Sequence, residues 1–108
     1  MGTLHYGIAD AGIRIDDETL AHLAAVMVAK LRRHEPFLLT CRSESSREAI
    51  WLHGASTVRF SYDEPAPTTL DKARLEAMVK ESNRPTGLVL EDALVARPAA
   101  VEALAVAA

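Results

Sequence analysis

Six basic side chains have types and spacing that could do chemistry together: Lys30, Arg32, Arg33, Arg42, Arg47 and Arg59. The first three close an amphipathic segment, and the other three lie on strand-like stretches after it. Brought to one place, they would form a patch for an anion or a nucleic acid, with Trp51 beside it to stack on a base. The chain as a whole carries a formal charge of −3, so such binding would be weak and salt-sensitive. A solvated face that also complements a helix dipole accounts for the same residues with less.

Other chemistries find little to build on. His5, His22, His34 and His53 are scattered, with no H-E-x-x-H and no paired histidine or cysteine at ligand spacing, and they read as surface or edge residues. Asp16, Asp17 and Glu18 could be taken for an acidic metal cluster, but the start of a helix explains them. Ser45-Ser46 lacks the G-x-S-x-G setting of a nucleophile. Neither G-x-G-x-x-G nor a Walker-type glycine loop occurs. The single cysteine, Cys41, follows Phe37-Leu38-Leu39-Thr40 and reads as a buried, inert thiol that has no internal disulfide partner. No catalytic, cofactor-binding or metal-ligating residue is assigned, and no cofactor is expected.

The elements that would position the basic residues are easier to read. In residues 15–33, Leu20, Leu23, Ala24, Met27 and Leu31 recur at helical spacing. Asp16 or Asp17 can cap the first free amides, Lys30, Arg32, Arg33 and His34 suit the opposite end, and Glu35-Pro36 stops the helix. Before it, Leu4, Tyr6 and Ile8 alternate with polar or small residues, Asp10-Ala11-Gly12 has turn chemistry, and Ile13-Arg14-Ile15 resumes the alternation, which is a hairpin. After it come strands at 37–42, 47–53 and 57–62, the last with Val58, Phe60 and Tyr62 inward, in an antiparallel meander. Residues 63–67 hold two prolines and cannot sustain a ladder. Thr68-Thr69-Leu70-Asp71 reads as a capping box opening a second helix that runs to Ser82 with Leu75, Met78 and Val79 on one face. Leu88-Val89-Leu90 is a last short strand.

These elements predict an α+β fold in the order β-β-α-β-β-β-α-β: an antiparallel sheet of five to six strands with two helices on one face. The alternative keeps the elements but sets the first hairpin apart as a small sheet of its own. At 108 residues, 49% hydrophobic and 25% charged, the chain suits one such domain, placed at residues 1–91. Residues 92–108 are mostly alanine and valine and read as a tail that is disordered or a docked helix. No apolar run approaches the ~20 residues of a membrane span, and no charged-then-apolar leader opens the sequence, so the expectation is a cytoplasmic protein without a membrane partner.

Several blocks also resemble a known family. Met1-Gly2-Thr3-Leu4 with Tyr6-Gly7, Ile15-Asp16-Asp17 with Thr19-Leu20-Ala21-His22-Leu23, and Ala29-Lys30-Leu31-Arg32-Arg33 carry most of the likeness. Glu48-Ala49-Ile50-Trp51-Leu52-His53, Arg59-Phe60, and Glu81-Ser82-Asn83 with Gly87-Leu88 extend it to residue 91. The chain resembles small actinobacterial proteins of unknown function, often automatically labelled "ATP-dependent DNA ligase". A ligase of that kind carries AMP on the lysine of a K-x-D-G motif. Lys30, Lys72 and Lys80 are followed by Leu31-Arg32-Arg33, Ala73-Arg74-Leu75 and Glu81-Ser82-Asn83, so none fits. The resemblance supplies no catalytic residue.

The reading that remains is a small non-enzymatic interaction or regulatory module. Its partner would be another protein or a second copy of itself, met through free strand edges and the apolar tail. The alternative is a weak nucleic-acid-associated domain using the basic residues above. Leu23 lies on the core stripe of the first helix and Arg33 at its polar end. Leu23→Ala should therefore cost about 2–5 kcal/mol in unfolding free energy, and Arg33→Ala less than about 1 kcal/mol. Thermal melts of the two variants check this, and equal losses would mean that the basic end is buried.

Overall fold

The computed structural model of the chain describes residues 1–7, 11–91 and 94–96. Its elements are β1 (Gly2–Tyr6), β2 (Ala11–Ile15), α1 (Asp17–Arg32), β3 (Phe37–Arg42), β4 (Arg47–Leu52), β5 (Val58–Ser61), α2 (Lys72–Ser82), β6 (Leu88–Glu91) and β7 (Leu94–Ala96). The expected β-β-α-β-β-β-α-β order is present, followed by β7. The single antiparallel sheet is not: the strands form two sheets, β5-β1-β2-β7 and β4-β3-β6. Setting the hairpin apart is nearer the mark, although its sheet also holds β5 and β7.

The split has a local cause. Residues 53–56 form a tight turn in which Ser56 N–H donates to the His53 carbonyl and Ala55 N–H to His53 Nδ1. The chain thereby leaves the line of β4 instead of doubling back beside it. Gly7 N–H then donates to Thr57 O at 3.0 Å, fastening the start of β5 to the end of β1. Val58 pairs with Tyr6 and Phe60 with Leu4, so β5 completes the hairpin sheet with these two packed on the core, while Tyr62, expected inward, lies past the strand and is exposed. In the other sheet β6 runs parallel to β3, Leu39 beside Leu88 and Cys41 beside Leu90, because α2 in the connection returns the chain to the starting end of the sheet. The remaining strand pairs are antiparallel.

Helix α1 packs on β1 and α2, and α2 packs on β3 and β6. Asp16 caps α1, accepting from Thr19 N–H at 2.9 Å. The helix ends before Pro36 is reached: His34 adopts φ 59°, and His34 and Glu35 donate back to the Leu31 and Lys30 carbonyls. The second helix departs from the expected capping box. Its N-cap is Asp71, which accepts from Ala73 N–H at 3.0 Å, so Thr68 stays in the loop. Val79, expected inward, is 38% exposed, while Met78 and Ser82 are buried.

One core joins both sheets to the helices. It includes Leu4, Ile13 and Ile15 from the hairpin, Leu20, Leu23, Val26 and Met27 from α1, and Phe37, Leu39, Leu52 and Leu88 from the second sheet. Leu23 is fully buried and Arg33 exposed, as their places on α1 predict. The alanine-rich tail lies outside the described residues except at Leu94–Ala96, which pair with β2 as a strand where a helix or disorder was expected. Among the described residues no helix is long and apolar enough to cross a membrane.

Gly87 has φ +75°, and a Cβ there would drive into the Leu38 carbonyl where the chain enters β6. Gly87→Ala should cost about 1–3 kcal/mol, whereas Gly54→Ala, which meets nothing nearer than 3.7 Å, should stay within about 0.5 kcal/mol of the parent. Denaturant titration of both checks this, and a neutral Gly87→Ala would contradict the close approach.

Candidate functional site

The three-stranded sheet buries one face and leaves the other to solvent. Along β3, Phe37, Leu39 and Cys41 are buried and Leu38, Thr40 and Arg42 face outward. Cross-strand register stacks the outward residues in rows: Trp51 opposite Leu38, Ala49 opposite Thr40 with Val89 on its other side, and Arg47 opposite Arg42 with Glu91 on its other side. One end of this face is therefore apolar and the other charged. Trp51 is 59% exposed although it sits in the regular part of a strand. Arg42 grips Glu91 through Nε and Nη2, and this hydrogen bonding holds the Glu91 carboxyl below its usual range and the guanidinium above its own. The Arg47 guanidinium has no ion-pair or hydrogen-bond partner among the described residues.

The six basic residues are not gathered at one place. Lys30 is buried: it donates to Asn83 Oδ1 at 2.7 Å, lies 3.6 Å from Glu35 Oε2, and sits 5.8 Å from the Phe37 ring centre. Arg32 and Arg33 are exposed at the end of α1, near the start of β3. Arg42 and Arg47 share a row at the other end of β3, and Glu91 compensates the first of them. Arg59 is exposed on β5, in the other sheet.

Two residues with structural roles escape a reading of the apolar stripe. His22 is fully buried; its Nε2 accepts from Asp71 N–H at 2.8 Å, which leaves the ring proton on Nδ1 to donate to the Glu18 carbonyl at 2.7 Å. His22, Val26 and Lys30 recur every four residues, a second stripe beside that of Leu20, Leu23 and Met27, and this spacing is the signal that could have found them. The three acids at the start of α1 divide the work: Asp16 caps the helix, Asp17 accepts from the Asp63 and Glu64 amides, and Glu18 pairs with Arg74 at 3.5 Å. Among the described residues no group of three or more His, Cys, Asp or Glu is placed to hold a metal ion.

Two concavities flank these elements. One, of about 410 Å³, lies between Ala21 of α1 and the proline loop, with Tyr62, Pro65, Pro67 and Leu70 on its walls. Asp17 and His22 tether that loop at its two ends. Burial and the nearby Asp17 charge raise the Tyr62 phenol above its usual value. The other, of about 350 Å³, opens beside Trp51 and is lined also by Tyr6, Ile50, His53 and Ser56.

The family model for a domain of unknown function, DUF7882, matches residues 1–93. The chain belongs to that family. Every element from β1 to β6 lies inside the match, and β7 lies beyond it. No match was found among curated proteins or solved structures.

Cys41 faces the core opposite Glu48, and burial, with that carboxylate adding to it, pushes the thiol from 9.0 up to about 12. Ellman's reagent should therefore leave the folded protein unlabelled at mildly alkaline pH and react fully in denaturant. The folded state favours the protonated thiol, so its contribution is complete below pH 9.0 and is lost as pH rises toward about 12. Over that window the parent should lose stability relative to Cys41→Ala, and rapid labelling of the folded protein would contradict the burial.

Proposed function

We propose that the chain is a small non-enzymatic interaction module that meets another polypeptide along β4 and the outward face of the three-stranded sheet. The exposed indole of Trp51 carries this reading. Tryptophan is enriched at the centres of protein interfaces, where its large apolar area is covered and its N–H can still reach a partner. Trp51 does not stand alone: Leu38 lies directly opposite it and a concavity opens at its side.

The basic residues do not favour the nucleic-acid alternative. Lys30 is committed inside the fold, Arg42 is neutralised by Glu91, and Arg59 belongs to a different sheet. What is left of the constellation is divided between two ends of one strand.

A photoreactive phenylalanine analogue placed at position 51, compared with one at the exposed Val79 of α2, tests the reading in cells that make the protein. Position 51 should give a discrete adduct that mass spectrometry resolves to one partner polypeptide, and position 79 should not. Adducts equal at both positions, or none from position 51, would contradict it.

A further inference from the structure

The two outer edges of the three-stranded sheet are not equivalent. On β6 the Val89 amide donates to Glu81 Oε1 of α2 at 3.0 Å, and α2 packs along the strand, so that edge is stoppered. On β4 no strand pairs with the outer edge among the described residues. It is six residues long, Arg47–Leu52, and bears the most exposed large apolar side chain described, Trp51. An open edge of this length is a template for another strand.

The sequence of that edge is complementary to itself, and the geometry points to a second copy of this chain as its occupant. This inference rests on the reading of β4 as an interaction surface and identifies the partner. In an antiparallel pair about a two-fold axis, directly opposite residues share a face, so their numbers must add to an even value. Centring the axis on Glu48 sets two carboxylates against each other, which is repulsive. Centring it on Ile50 sets Trp51 against the partner's Ala49 and Arg47 against the partner's His53, so the indole meets only a methyl group and the guanidinium a second basic side chain. Centring it on Ala49 puts the smallest side chain of β4 on the axis and lays Arg47 against the indole of the partner's Trp51, twice by symmetry.

That register answers the loose ends of the isolated chain. The Arg47 guanidinium, without a partner of its own, gains an aromatic face. Trp51 is covered, and the concavity of about 350 Å³ at its side leaves room for the incoming arginine. Glu48 meets Ile50 of the partner subunit on the inner face, away from any like charge. The two sheets become one of six strands, β6-β3-β4-β4-β3-β6, whose remaining edges are both the stoppered β6.

The test is the oligomeric state of the full chain with substitutions on the axis. Paired residues in such a ladder lie about 4.5–5.5 Å apart at Cα, inside the range a disulfide spans. In a Cys41→Ala background, Ala49→Cys should therefore give a covalent dimer under mild oxidation, while Ala29→Cys, on the exposed side of α1, should not. Ala49→Lys brings two ammonium groups together on the axis and should weaken the dimer at least about tenfold in light scattering, with an unchanged circular dichroism spectrum. A monomer at about 100 μM would overturn the inference. So would a dimer indifferent to Ala49→Lys, or one that Ile50→Cys links and Ala49→Cys does not. If position 51 still cross-links to a different polypeptide in those cases, the interaction reading survives and only the identity of the partner falls.

Discussion

The fold depends on how α1 holds α2. His22 of α1 accepts from the amide of Asp71, the N-cap of α2, and Lys30 of α1 donates to Asn83, the C-cap of α2. The two contacts lie eight residues apart on α1 and grip the second helix at both ends, so the helices run the same way side by side. His22 and Lys30 are both buried, and polar groups removed from water must be paired or they cost about 1–3 kcal/mol each. The bridges therefore fix where α2 can lie more strictly than apolar contact would. Around this pair the rest is arranged: α1 carries β1 and the hairpin sheet, α2 carries β3 and β6, and Asp17 adds a third tether to the loop that joins β5 to α2.

That arrangement also determines what is left open. Because α2 lies along β6, one edge of the three-stranded sheet is closed by Glu81. Because the turn at residues 53–56 sends β5 to the hairpin sheet, β4 loses the neighbour that a continuous meander would have given it. Trp51 and the outer edge of β4 are exposed as a consequence of the sheet splitting in two. The surface proposed for binding is thus produced by the fold's own connectivity. The basic residues, in contrast, are drawn apart by it: Lys30 goes inward to hold the helices, and Arg42 turns to Glu91.

Much of this was legible in the sequence because it is local. The order of elements as far as β6, a cap at Asp16 or Asp17, the core role of Leu23 and Met27, and the burial of Cys41 all follow from periodicity and capping chemistry within a few residues. A hairpin sheet set apart was one of two readings the sequence allowed, but the transfer of β5 to it was not legible, since alternation in β5 says that one face is buried and nothing about which strand it pairs with. Starting α2 at Thr68 failed for a related reason. Asp71 serves as the cap because His22, 49 residues away in sequence, holds its amide. The acidic triplet read well as a helix start, but the reach of Asp17 to the loop at residues 63–64 is invisible to spacing. Lys30 looked like one more charge at a helix end and is a buried bridge, and only the four-residue recurrence of His22, Val26 and Lys30 hinted at it.

The claim that the helix pair is pinned through His22 has a direct spectroscopic signature. In the folded protein, nitrogen-15 NMR of the imidazole should find a single ring proton, on Nδ1, and a coupling across the hydrogen bond between the Asp71 amide nitrogen and His22 Nε2. A ring protonated at Nε2, as the other neutral tautomer or as the cation, cannot accept from that amide and would contradict the account.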